Sequence, residues 1–146
     1  MESFRALWNR IALRLEAWIS MDMVLAVSRL GIASVFFYSG RTKVDGFLHV
    51  TDGAVALFRD EYHLPLVDPA LAAHGAAYAE HVFPLLLVLG LGTRLSALAL
   101  LCMTLVIEVF VYPDAWPTHL SWAAPLLLLA VRGAGAWSVD RRLKLR

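Results

Sequence analysis

Four apolar runs, each close to the length of one bilayer crossing, constrain this chain more than any other feature. They are MVLAVSRLGIASVFFYSG (23–40), PALAAHGAAYAEHVFPLLLVLGL (69–91), LSALALLCMTLVIEVFVY (95–112) and LSWAAPLLLLAVRGAGAW (120–137). A hydrocarbon core of about 30 Å requires about 20 apolar residues per helical crossing. Lipid offers the backbone no hydrogen-bond partners, so such segments must be helices that satisfy themselves. The connections GLGTR and YPDAWPTH are short enough to force antiparallel neighbours. The expected fold class is therefore an all-α membrane protein, a four-transmembrane-helix antiparallel bundle. Composition agrees: 60% of residues are hydrophobic, 17% are charged and mean hydropathy is +0.65, where an average soluble domain has about 45–50% apolar and about 25% charged residues. The expected organisation is a single membrane domain over 1–146, with no length left for a soluble module.

Charge sets the expected orientation. Arg5, Arg10, Arg14, Arg94, Arg132, Arg141, Arg142, Lys144 and Arg146 lie at one end of the spans, whereas Arg41, Lys43 and Arg59 lie at the other. By the positive-inside rule the first end is cytoplasmic, so a bacterial inner membrane location with both termini inside is expected. Residues 1–20 place Phe4, Leu7, Trp8, Ile11, Leu15 and Trp18 at helical spacing, the pattern of an interfacial helix; charges interrupt any signal-peptide core. In the outer loop, Thr51 or Asp52 caps a short helix running to Arg59–Tyr62, with Pro65 and Pro69 breaking the chain beyond it. This segment is expected to lie over the bundle mouth as a lid. A net charge of +1 with no basic stripe argues against nucleic acid. The single Cys102 excludes an intrachain disulfide. Phosphate-binding glycine loops, a dinucleotide fingerprint and haem-attachment motifs are absent, so nucleotide-dependent soluble catalysis is set aside.

Ionisable residues inside a span are costly, and each is a functional hypothesis. The candidate polar core is Arg29, Glu80, His81 and Glu108. From their depths, Arg29 and Glu80 are expected to form an ion pair between the first two spans, either locking helix register or tuning a proton-exchanging Glu80. His74, Tyr78 and His81 recur at spacings of four and three. A track from Glu80 through His81 and Glu108 to His74 is geometrically open, as a proton path or as interhelical hydrogen bonding. At the outer mouth Lys43, Asp114, Trp116 and His119 are candidates for receiving a substrate or partner, while Trp116, Trp122 and Tyr112 equally fit an aromatic belt. Cys102, Met103, His74, His81 and Glu108 offer possible ligands, but no two-cysteine or HExxH spacing organises them and no metal site is assigned.

The stretch RLGIASVFFYSGRTKVDGF resembles the first span of the DoxX family, and YAEHVFPLLLVLGLGTRLSALAL resembles its second, in which a Glu precedes a leucine-rich stretch ending in Gly-x-x-Arg. RGAGAWSVD resembles the closing Gly-Pro-Gly and Ser-x-Asp signature, with Ala134 where Pro is usual. The resemblance covers residues 22–140 and implies a four-helix membrane subunit of a redox system. Some members resemble the small subunit of archaeal thiosulfate:quinone oxidoreductase, and this chain looks most like a subgroup associated with bacterial metal-stress operons. The resulting expectation is a redox or metal-stress membrane subunit that passes electrons or protons between a partner and quinone, with no intrinsic cofactor. It would be a subunit of a quinone-linked oxidoreductase, not itself a self-sufficient catalyst. The alternative is a non-enzymatic module for small-solute or ion transport, or an anchor for a secreted metal-binding peptide. Spans rich in Ala and Gly also permit a homo-oligomer.

Overall fold

The computed structural model describes residues 2–145. A first helix, α1 (Glu2–Trp18), leads to α2 (Met21–Arg41). A hairpin of two short strands, β1 (Val44–Asp45) and β2 (His49–Val50), precedes α3 (Asp52–Leu57), which continues as one π-helical turn over Phe58–Tyr62. Then follow α4 (Pro69–Leu89), α5 (Thr93–Phe110), a 3₁₀ turn (Pro113–Ala115), α6 (Trp116–Arg132) and the short α7 (Val139–Arg142).

Each long helix begins or ends where local chemistry dictates. Ser20 accepts from the Met23 amide at 3.2 Å to start α2, and Asp68 accepts from the Leu71 amide at 3.0 Å with Pro69 opening α4. Gly90, at φ +66°, ends α4 in the left-handed conformation that favours glycine. α5 has no side-chain cap of its own. Asp140, from the far end of the sequence, supplies it by accepting from the Gly92 and Thr93 amides at 2.7 and 3.0 Å.

The bundle is built from α2, α4, α5 and α6, with the most extensive contacts between α2 and α4 and between α5 and α6. Both pairs are antiparallel. A Cβ on Gly40 would fall 2.9 Å from the Cβ of Glu80, and one on Gly90 would meet the guanidinium of Arg29; likewise Arg94 reaches the carbonyls of Ala130 and Val131, while Glu108 meets His119. The buried core combines Leu25, Ile32, Phe36, Leu87, Leu100, Leu126 and Leu129 with small residues such as Ala33 and Ala97. Large apolar side chains including Leu30, Val82, Leu85, Leu105 and Leu127 face outward. Large apolar side chains thus lie both in the core and on the outer face, which lipid permits because water does not drive helix association there and packing does.

Three helices, α2, α4 and α5, are long and apolar enough to cross a membrane. α6 has 17 residues; it begins four residues before the expected fourth run and ends five residues before that run does, because residues 133–137 leave the helix to form a turn. That turn carries Gly133 and Gly135, both at φ +79°. The remaining runs match their helices to within two residues at either end.

The outer segment matches the expected short helix and adds a strand hairpin that the sequence did not reveal. Val44 pairs with Val50 and Asp45 with His49. Val44, Val50, Ala54 and Phe58 then close over Ala73 and Ala77 of α4 as a second small core. The lid is thus packed onto α4, and its turns hold the Lys43 backbone by Lys43 N–H to Gly40 O and Thr51 N–H to Lys43 O.

Candidate functional site

The ion pair expected between Arg29 and Glu80 does not form. Arg29 donates to the carbonyls of Trp137 (2.6 Å) and Leu87 (3.4 Å), whereas Glu80 pairs with Lys43, Nζ to Oε2 at 2.7 Å. The reason is geometric. Gly40 marks the level of Glu80 on α2 and Gly90 marks the level of Arg29 on α4, which separates the two charged residues by about 16 Å along the axis at about 1.5 Å per residue. Side chains on a helix also lean toward its N-terminus. On antiparallel helices Arg29 and Glu80 therefore lean apart, Arg29 toward the closing turn and Glu80 toward the lid.

Lys43 sits just beyond the end of α2, where it is 5% exposed, and Glu80 is 3% exposed. The ammonium donates to Ser39 O (3.2 Å) and Ser39 Oγ (3.1 Å) as well as to Glu80, so all three of its protons are used. Ser39 Oγ in turn donates to Glu80 Oε1 at 3.3 Å, the longest of these contacts. Serine and lysine four residues apart lie on one face of a helix, and this spacing is the sequence signal that could have paired Lys43 with the interior instead of with the mouth.

Lys43, Glu80 and Ser39 form one polar corner of a cavity of about 270 Å³. Its other walls are apolar: Met103, Val106 and Ile107 of α5 with Val111 just beyond it, Ala72 and Ala76 of α4, and Phe58, Tyr62, Leu64 and Val67 of the lid. The lid is fastened to the end of α5 by a hydrogen bond from the Tyr112 hydroxyl to the Glu61 carboxylate, with Tyr62 edge-on to both Phe58 and Tyr112. Burial holds the Tyr62 phenol above its ordinary range, so it remains a neutral hydroxyl. Sequence reasoning missed the Glu61–Tyr112 clasp, since 51 residues separate its partners.

The remaining expected residues divide into separate groups. His81 is buried; its Nδ1 pairs with Ala77 O at 2.6 Å, its ring lies edge-on to Phe37, and its Nε2 has no partner among the described residues. Glu108 pairs with His119 Nδ1 at 2.5 Å, not with His81. His74 and Tyr78 are exposed on the outside of α4, with His74 bonded to Ala70 O of its own helix. The continuous track from Glu80 to His74 is therefore not formed. The mouth cluster also separates: Lys43 turns to Glu80 and His119 to Glu108, while Asp114 and Trp116 stay exposed. Among the described residues no group of three or more His, Cys, Asp or Glu side chains could hold a metal ion.

At the opposite end of the bundle the closing RGAGAWSVD segment acts as a latch. Asp140 caps α5, Asp22 of α2 accepts from the Ala136 amide at 2.7 Å, and Arg29 holds the Trp137 carbonyl. The motif read from the sequence as a closing signature thus ties α2, α4 and α5 together from beneath.

A bundle of apolar helices with a buried ion pair, a lid at one end and a latch at the other defines a small all-α, multi-pass integral membrane protein. The chain belongs to the DoxX family, whose model matches residues 24–113, more than half of its length. An uncharacterized protein of Haemophilus influenzae is 29% identical over 136 residues, covering 86% of this chain and 87% of the other. No solved structure matches.

Proposed function

We propose that the lidded cavity binds a small amphipathic hydroxy-aromatic head group, a quinol being the chemical type, and that the chain serves as a membrane subunit of a redox pathway. The observation that carries this reading is the buried Lys43–Glu80 pair set into an otherwise apolar cavity. Charges in such a place are retained for function more often than for stability. A volume of about 270 Å³ falls just below the usual range of about 300–1,000 Å³ for ligand sites, so it suits a head group whose tail lies in lipid.

When bound, a quinol supplies two electrons and two protons on oxidation. Both electrons and one proton would pass to an oxidoreductase partner, and the other proton to the Glu80 carboxylate. A ligand hydroxyl takes the place of the weak Ser39 contact and donates to Glu80, while Lys43 holds the carboxylate in position through Nζ to Oε2. The aromatic lid excludes water from the exchange. In this reading α6 is the fourth crossing, the arginine-rich end is cytoplasmic in a bacterial inner membrane, and α1 lies along the inner surface. Resemblance to the metal-stress subgroup supports a stress-linked partner.

A second reading, favoured by the exposed Asp114 and Trp116 beside the lid, is a non-enzymatic module that anchors a secreted metal-binding peptide or admits a small solute or ion. Two measurements test the pair. Full-length protein in nanodiscs should bind a short-tailed quinol analogue, and Glu80→Gln should weaken binding by about tenfold, the loss of one charge-assisted hydrogen bond. Equal binding by the two proteins rejects the quinol site. Purification from native membranes in mild detergent should recover an oxidoreductase; recovery of a small metal-binding peptide instead selects the second reading.

A further inference from the structure

A second cavity, of about 730 Å³, lies at the latch end between the starts of α2 and α5, the end of α6 and the closing turn. Three arginines line it, Arg94, Arg132 and Arg141, and among the described residues none of them pairs with a carboxylate. Two carboxylates share the lining, but both are committed elsewhere: Asp140 accepts from the Gly92 and Thr93 amides and Asp22 from the Ala136 amide. Arg94 is likewise committed through Nη1 to the last carbonyls of α6. Arg132 and Arg141 remain exposed, without side-chain partners among the described residues. Thr93 also lines the cavity; it is 0% exposed and its hydroxyl has no hydrogen-bond partner among the described residues. A buried, unpartnered hydroxyl is costly, and Thr93 shares the cavity lining with the two uncommitted guanidiniums.

We propose that this cavity binds a phosphate monoester or diester, with Arg132 and Arg141 as the charge partners and Thr93 as a hydroxyl donor. Guanidinium forks match phosphate oxygens in geometry. The ligand is anionic because the arginines outnumber the two carboxylates, which are already satisfied by backbone N–H groups. The source is either a lipid head group or a soluble phosphate ester. Leu95, 71% exposed on the cavity wall, and Val131, 69% exposed next to Arg132, offer an apolar flank along which acyl chains could run.

The test is thermal melting of the full-length protein in an uncharged detergent, titrated with phosphatidylglycerol, phosphatidylcholine or inorganic phosphate. Stabilisation by phosphatidylglycerol at concentrations well below those needed for phosphatidylcholine is expected. Arg132→Gln/Arg141→Gln should weaken that binding by about twenty-five-fold, from about fivefold per surface cation facing an anionic head group. The midpoint without lipid should not move, since neither side chain supports the fold. Arg132→Lys/Arg141→Lys should recover most of the loss. Inorganic phosphate that stabilises alone and competes with the lipid assigns the site to a soluble phosphate, whereas lipid stabilisation that phosphate leaves unchanged assigns it to a head group. Equal response to both lipids with no response to phosphate, or a titration unchanged in the glutamine variant, overturns the proposal.

Discussion

Glu80 is not left alone inside the bundle, because Lys43 reaches back from beyond the end of α2 to meet it, with Ser39 between them. Breaking such a pair leaves an uncompensated charge, which costs about 3–5 kcal/mol, whereas replacing both partners by neutral groups of similar shape costs far less. Lys43→Met should therefore lower stability by about 3 kcal/mol, and Lys43→Met/Glu80→Gln should recover most of it. Reversible unfolding in mixed micelles measures both; a double variant no better than the single would show that the two side chains are not coupled. That Glu80 and His81 face inward was legible in the sequence, because charge and imidazole stand in a run fit for lipid. The partner was not legible. Depth counted from each span's own end placed Arg29 within apparent reach, but the antiparallel register sets Arg29 level with Gly90 and Gly40 level with Glu80, and the lean of the side chains carries the two groups further apart.

At the scale of the element, α2, α4 and α5 follow their apolar runs, α6 is displaced from its run by the closing turn, and the caps at Ser20 and Asp68 follow local sequence. The start of α5 does not, since Gly92 cannot cap it and the acceptor comes from Asp140. Asp140→Ala should cost about 1–2 kcal/mol, the usual worth of an N-cap, read as a lower melting midpoint; an unchanged midpoint would mean that water replaces the carboxylate. Gly90 closes the other side of the same turn. At φ +66°, with Arg29 Nη1 2.1 Å and Ser138 Cβ 2.5 Å from any added Cβ, Gly90→Ala should destabilise at least as strongly and should loosen the latch. The strand hairpin was hidden from sequence reading because its two strands are each two residues long, too short to show a period of two.

For the whole molecule, lid and latch lie at opposite ends of the bundle, so orientation in the membrane decides which cavity meets which compartment. In a Cys102→Ala background, Asp114→Cys should react with a membrane-impermeant maleimide on intact cells, and Lys144→Cys only after lysis. The reverse pattern would place the lidded cavity toward the cytoplasm and would require a different partner for it.

The sequence by itself determined that this chain is a helical membrane protein, where its long helices run to within a few residues, and that a small number of ionisable groups are held inside. These are one-dimensional quantities, the length and period of apolar stretches, and lipid enforces them strictly because it offers the backbone nothing to bind. Only the tertiary structure decided which charges meet. The antiparallel register of α2 on α4, the lean of each side chain and the return of the C-terminal turn beneath α5 gave Lys43 to Glu80, His119 to Glu108 and Asp140 to α5, because partners remote in the chain are chosen by packing in three dimensions.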